Sequence, residues 1–475
     1  MKTRPTGPSD GLGSILAATS FGFVVIQLDV TIVNVALPRI AEDLRASVAA
    51  LQWVVDAYTL AFAVLLLSAG VAGDLFGSRR MFVAGFLVFG TASLACGLSS
   101  TAAGLVAART AQGIGAALLL PNSLSLLNHA TAHEDSVRAR AVGLWTAAGG
   151  VAITAGPVLG GLLLTGLGWR SIFLVNLPLC ALAIWLTERA VPETPREHET
   201  RGLDLPGQLL AIVALTGLTG AVIELRPLGT THPLVVGGAF LAVLAGLAFV
   251  VVEGRTKDPM VPLAFFRRPN FSPAVVFGIL VNLTYYGAIF VLSLYLQKVR
   301  GYSAISAGLA FLPLTGTFIL SNVLSGWMTG RMGSRVPMIV GALIGSGGYL
   351  LLSMLGRSSS YAQMLGPFLL IPIGMGLAVP AMTTCVLASV ERARAGTASA
   401  VLNAARQAGG AIGVAIFGAL AGSTVEHIAS GLRSSALLSV GLLLAAAALA
   451  WVAVRPLSSQ VSGRSEQQER TRASS

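Results

Sequence analysis

Charge is scarce in this sequence. Aspartate, glutamate, lysine and arginine make up 11% of its 475 residues, against about 25% in a soluble domain. A soluble chain of this length would fill about three domains, and so few charges could not cover their surface. Lysine is scarcer still, with only Lys2, Lys257 and Lys298 among 31 basic residues. The three cysteines, Cys96, Cys180 and Cys385, lie in separate apolar runs without metal-ligand spacing. They read as small apolar side chains, not as a disulfide framework or metal site. His129, His133, His198, His232 and His427 all fall in loops or at the ends of apolar runs. Gly-x-Ser-x-Gly, HExxH, CxxC and Walker A patterns are missing, so no catalytic constellation and no ATP site are expected. These gaps exclude a soluble enzyme, a secreted disulfide-rich protein and a disordered scaffold.

What is abundant is apolar length. Hydrophobic residues make up 54% of the chain, and the mean hydropathy is +0.78. A helix that crosses a bilayer needs about 20 apolar residues. Fourteen such runs are centred near Val25, Phe62, Leu87, Ala111, Ile153, Ala181, Leu215, Leu244, Leu283, Thr317, Ile344, Leu370, Gly410 and Ala445. The fold class expected is therefore an all-α polytopic membrane protein. The chain is polar to about Ser14, and no small-residue cleavage site ends the first apolar run early, so that run reads as a retained span.

The formal net charge is +11 and the pI is near 10.3. In a soluble chain that would suggest nucleic acid. Here the basic residues sit in short loops between apolar runs, where they set topology. An even number of spans puts both termini on one side. With that side cytoplasmic, 21 Lys/Arg fall in inner segments and 8 in outer ones, while Arg109 and Arg406 lie inside spans. We expect an integral protein of the plasma (inner) membrane with both termini in the cytoplasm.

The longest polar stretches, near 188–204 and 253–270, divide the spans into six, two and six. This predicts a six-helix half over 1–188, two extra helices over 189–255 and a second six-helix half over 256–456. A Ser/Gln/Arg-rich tail over 457–475 reads as disordered and cytoplasmic. An internal echo supports the halves. Gly70-Val-Ala-Gly-Asp-Leu-Phe-Gly-Ser-Arg79 is matched 256 residues later by Gly326-Trp-Met-Thr-Gly-Arg-Met-Gly-Ser-Arg335. Gly113 and Gly115 are echoed by Gly374 and Gly376, each pair followed by a proline, Pro121 and Pro380. Paired six-helix halves suit a transporter with its site between them at mid-membrane.

Four motifs occupy compatible positions. The first span ends Leu28-Asp29-Val-Thr31-Ile-Val-Asn34-Val-Ala-Leu-Pro38. The loop after the second carries Gly70, Asp74, Gly77, Arg79 and Arg80. The fourth carries Arg109-Thr-Ala-Gln112-Gly113-Ile-Gly115, and the fifth Gly150, Gly156-Pro157 and Gly160-Gly161. From about Leu16 to Arg455 the chain resembles the major facilitator superfamily, in its fourteen-helix drug:proton antiporter branch. It is similar to methylenomycin-resistance-type and related multidrug efflux proteins. The resemblance implies two six-helix halves plus two central helices, and the Gly156-Pro157 motif implies export. It also departs from the family pattern: Leu75 and Ser78 stand where basic residues are usual, and Gly330 replaces Asp74 in the second copy.

The residues carry their own physical reading. An ionised aspartate at a helix centre costs about 3 kcal/mol on insertion scales, so Asp29 should face the protein interior. It is either a proton-coupling carboxylate or a structural partner of Arg109. Asp56 reads as a second coupling group or as a solvated helix end, and Glu224 as an interfacial charge beside Arg226. Arg109 cannot shed its charge and needs a partner inside the span; the resemblance places it next to the proton site. Asp74, Gly77, Arg79 and Arg80 suit ion pairs that form between halves in one state and break in the other, or a plain topology signal. Gly156, Pro157, Gly160 and Gly161 allow close helix packing, which the resemblance ties to sealing a leak. The ninth span carries Asn282, Tyr286, Ile289, Ser293 and Gln297 at helical spacing, with Tyr285 and Phe290 beside them. That stripe suits a cavity wall. The expected cavity residues are Asn34, Trp53, Tyr58, Gln112, Asn282, Tyr285, Tyr286, Phe290, Asn403 and Arg406.

The expected activity is proton-coupled export of amphipathic drugs or antibiotics by alternating access. A transporter of an endogenous metabolite on the same fold and a polytopic membrane enzyme are the alternatives. The expected partners are a small amphipathic molecule and the lipid bilayer, with no nucleic acid, no obligate protein partner and no cofactor beyond the coupling proton.

Overall fold

The computed structural model describes residues 8–131, 135–193, 204–257, 259–391 and 394–455. The tail expected over 457–475, His133, His198, Arg196, Arg201, Arg392 and the basic residues before Pro8 lie outside the described residues. The described residues form helices and connections, with no strand. Fourteen helices among them are long and apolar enough to cross a membrane. They are α1 (Leu12–Asp43), α2 (Val48–Phe76), α3 (Ser78–Leu98), α4 (Ala102–Ala130), α5 (Arg140–Leu167), α6 (Ser171–Ala190) and α7 (Leu205–Leu228). The series continues with α8 (Pro233–Arg255), α9 (Phe271–Val299), α10 (Ala304–Met332), α11 (Arg335–Ser353), α12 (Tyr361–Ala388), α13 (Ala395–Ala421) and α14 (Val425–Ala453). Each expected centre falls in its own helix. The protein is an integral membrane protein.

Local chemistry sets the helix ends. Ser47, Thr101 and Thr424 precede α2, α4 and α14, and their side chains accept from exposed first-turn amides. Ser360 and Gln363 form a reciprocal capping box at the start of α12. One residue, Gly77, joins α2 to α3 at φ 96°, and Gly333 follows α10 at φ 76°. Only glycine adopts such angles without strain. The two positions are the matching glycines of the sequence echo, so the repeat reappears as backbone geometry. α10 breaks at Phe311, two residues before Pro313, which lacks an amide hydrogen to donate.

Helices α1–α6 pack together, as do α9–α14, and the two groups meet along two seams, α2 against α13 and α5 against α10. α9 is buried along most of its length. α7 lies on the outside of the α2–α13 seam and touches both helices, and α8 packs chiefly on α7. Phe240, Leu247 and Val250 of α8 stand exposed. An apolar face of that kind belongs in lipid, where only the backbone must be satisfied internally.

Candidate functional site

Asp29 on α1 and Arg109 on α4 are both buried, at 0% and 1% exposure. Arg109 Nη1 lies 2.5 Å from Asp29 Oδ2 and also donates to Gln112 Oε1 at 2.7 Å. Arg109 Nε donates to the carbonyl of Val54 at 3.0 Å, and the guanidinium lies 4.3 Å over the ring of Tyr58. Gln112 Nε2 donates at 2.8 Å to Asp29 Oδ1 and to Ser93 Oγ. Asn176 Nδ2 lies 3.3 Å from each of those two oxygens. Five helices thus converge on one carboxylate. Desolvating two charges is offset when geometry is good and further hydrogen bonds reach the pair, and here Gln112 and Asn176 add donors to the carboxylate beside Arg109. Ser93 and Asn176 were not expected. Both are small polar residues in apolar runs, and nothing periodic marks them.

The opposite face of α1 borders a cavity between the halves. Its walls come from α1, α5, α9, α10, α12 and α13, and enclose about 1030 Å³ counting the open part. Of the expected lining residues, Asn34, Asn282, Tyr285, Tyr286 and Arg406 are there. The structure places the others elsewhere. Tyr58 and Gln112 belong to the Asp29 network. Trp53 turns to α7, with its Nε1 3.4 Å from Glu224 Oε1 and its ring against Gly220. Phe290 is fully buried in the apolar core and is not among the residues that line the cavity. Asn403 sits one turn before Arg406 and meets its Nη1 at 3.5 Å without lining the cavity. Gln27, Thr31 and Asn322 line it unexpectedly. The first two could have been read from the polar series Gln27, Thr31, Asn34 along one helix face.

The cavity ends where α9 meets α1. Ser293 donates to the carbonyl of Asn34, and Gln297 Nε2 donates to the carbonyl of Val35 at 2.9 Å. These two members of the expected stripe therefore cap the space instead of lining it. The helix-five glycines seal the same end. Gly156 and Gly160 admit Thr31 and Ile32 of α1, while Gly161 lies against the backbone of Ala304 and Ile305 in α10. Gly308 of α10 receives the carbonyl of Pro157. The motif thus sits at a seam between halves.

Asp56 is fully buried, and neither carboxylate oxygen has a partner. That rules out a solvated helix end. One turn earlier, Gln52 Nε2 reaches across the α2–α13 seam to the carbonyls of Val414 at 3.1 Å and Ala415 at 2.7 Å. Glu224 accepts from Trp53, while Arg226 reaches the carbonyls of Ala419 and Leu420 of α13. In the loop motif, Arg79 pairs with Glu188 at 2.8 Å and Arg80 with Glu193 at 3.5 Å. Glu188 lies near the end of α6 and Glu193 just after it, so these described pairs do not reach α9–α14. Asp74 is exposed and Gly77 makes the turn. Among the described residues no group of three or more His, Cys, Asp or Glu could hold a metal.

Comparison with known proteins agrees with this architecture. Residues 19–414 match the family model described as Major Facilitator Superfamily. The chain is 39% identical to the multidrug resistance protein Stp of Mycobacterium tuberculosis over 405 residues, covering 85% of this chain and 75% of that one. It is 37% identical to the methylenomycin A resistance protein of Streptomyces coelicolor, covering 87% and 86%. Against the puromycin resistance protein pur8 of Streptomyces alboniger it is 37% identical, covering 94% and 91%. A crystal structure of a bacterial homolog of the human lysosomal transporter Spinster, inward-facing and occupied, shares the fold with a TM-score of 0.66 at 19% identity, covering 95% and 97%. The chain belongs to the major facilitator superfamily, among its fourteen-helix drug-resistance transporters.

Proposed function

We propose that this protein is a proton-coupled antiporter that exports amphipathic drugs or antibiotics from the cytoplasm or inner leaflet by alternating access. The observation that carries the reading is the division of α1: Asp29 faces Arg109 on one side, and Gln27, Thr31 and Asn34 face the cavity on the other. The drug-resistance names of the relatives support export.

The physics of the pair supplies the coupling. Protonating Asp29 leaves Arg109 as an uncompensated buried charge, and losing one partner of such a pair costs about 3–5 kcal/mol. That strain drives α1 to move against α4, and the cavity wall moves with it. Asp56, buried without a counter-charge beside the α2–α13 seam, is the second proton carrier. With both termini cytoplasmic, the end sealed by Ser293, Gln297 and Gly161 faces outward. A membrane potential contributes about 2.3 kcal/mol per charge per 100 mV, enough to sustain a drug gradient of about fiftyfold for each net charge moved.

The test uses everted vesicles with an acid interior and a pH-quenched dye. Adding compounds from a panel should dequench the dye in wild type and not in Asp29→Asn. Full exchange in Asp29→Asn overturns the carboxylate assignment. Compound efflux that ignores the proton gradient overturns antiport.

A further inference from the structure

Among the described residues that line the cavity one is charged, and it is a cation. Gln27, Thr31, Asn34, Thr146, Asn282 and Asn322 supply neutral polar atoms, with no aspartate or glutamate among the described lining residues. Arg406 enters from α13. Its Nε has no hydrogen-bond partner, and its described contact is Nη1 to Asn403 Oδ1 at 3.5 Å, the limit of a hydrogen bond. By contrast, the other intramembrane arginine, Arg109, holds a carboxylate, a carbonyl and an amide. A guanidinium presents five donors and keeps its charge, so Arg406 retains donor capacity that the protein does not fill. Tyr285 adds a second free donor, its hydroxyl being buried without a partner. Its ring meets Tyr286 at 5.6 Å and Phe318 at 5.5 Å, both edge to face.

Resting on the export reading above, we propose that the substrates of this cavity carry a carboxylate or similar anionic group that pairs with Arg406, joined to a ring system that packs on Tyr285, Tyr286 and Phe318. Aromatic faces also accept cations. A cationic drug in the same space would meet Arg406 with no lining carboxylate to offset it, and like charges repel. An aromatic acid uses both features, and its charge-assisted bond is of the strong class.

The experiment compares three ligands with one ring system on the full-length protein in nanodiscs: 1-naphthoate, 1-naphthamide and 1-naphthylmethylammonium. Binding is followed by the ligand-dependent shift of the melting curve, with empty nanodiscs as control. Naphthoate should bind about tenfold or more tighter than the ammonium, as one charge-assisted hydrogen bond implies. In Arg406→Gln that preference should vanish, and Arg406→Lys should keep most of it. The ranking in wild type needs no variant, so a misfolded mutant leaves the test intact. An ammonium that binds as tightly as the acid, an acid preference that survives in Arg406→Gln, or no binding of the acid at millimolar concentration each overturns the proposal. The ligand ranking does not involve protons. If the ammonium wins while vesicles still exchange protons for drugs, the substrate class falls and export stands. If the acid wins while no compound moves protons, the reverse holds.

Discussion

Arg226 of α7 caps the last turn of α13: its Nη1 lies 2.7 Å from the carbonyl oxygen of Ala419 and 2.9 Å from that of Leu420. The last carbonyls of a helix have no partner within it, and a cation there also meets the negative end of the helix dipole. The same helix holds α2, through Gln208 Nε2 on the carbonyl of Val64 at 2.8 Å and through the Trp53–Glu224 contact. The inserted helix therefore clasps both halves across the seam where they meet. Arg226→Ala should lower stability by about 1 kcal/mol, seen as a lower melting temperature in detergent. Arg226→Lys should recover part of the loss, since a lysine keeps the charge without the planar fork.

Breaking the Asp29–Arg109 pair on one side should cost more than removing both charges. Asp29→Asn or Arg109→Gln alone leaves a buried charge without its partner, a loss of about 3–5 kcal/mol. The double variant carries no charge there and should melt closer to wild type than Arg109→Gln does. All three should lack compound-dependent proton release. A double variant no more stable than the singles would mean that the charges themselves are not what holds these helices together.

Asp56→Asn should separate stability from coupling. The side chain has no ion pair or hydrogen bond to lose, so the melting temperature should change by less than about 0.5 kcal/mol equivalent. Proton release per molecule of drug should fall. Unchanged proton release would remove Asp56 from the coupling path.

A side chain added at the α5–α10 seam should wedge it open. A Cβ at Gly161 would sit 2.8 Å from the carbonyl oxygen of Ala304, too close for a backbone atom that cannot swing away. Gly161→Val should expose the cavity end near Asn34. Labelling of an Asn34→Cys reporter by an impermeant maleimide, applied on the side of the α1–α2 loop, should then quicken. Cys96, Cys180 and Cys385 are buried and serve as silent background.

The fourteen helices were legible because crossing a bilayer is a local requirement, met or missed within some twenty residues. The paired halves were legible through glycines such as Gly77 and Gly333, whose backbone angles no other residue adopts cheaply. The charge pair was half legible. An arginine inside a span demands a partner, and Asp29 was one of few available, but Ser93 and Asn176 carry no such demand and stayed hidden. The cavity list was the least legible part. Trp53, Tyr58, Gln112, Phe290 and Asn403 are polar or aromatic residues in spans, as are the residues found along the cavity, and the sequence does not tell which way each one turns.

That limit marks what each level decided. Composition and span length were enough for the solvent, the number of spans and the charges that must be buried, because transfer of a charge or a peptide from water to hydrocarbon depends on the group itself. The rotation of each helix about its axis came from packing. In water an apolar stripe announces the inner face, whereas in a bilayer lipid and protein interior are equally apolar and the stripe disappears. Packing alone turned Asp29 toward Arg109, Asn34 toward the cavity and Trp53 toward α7, and placed Arg406 as the charge among the described residues that line the cavity.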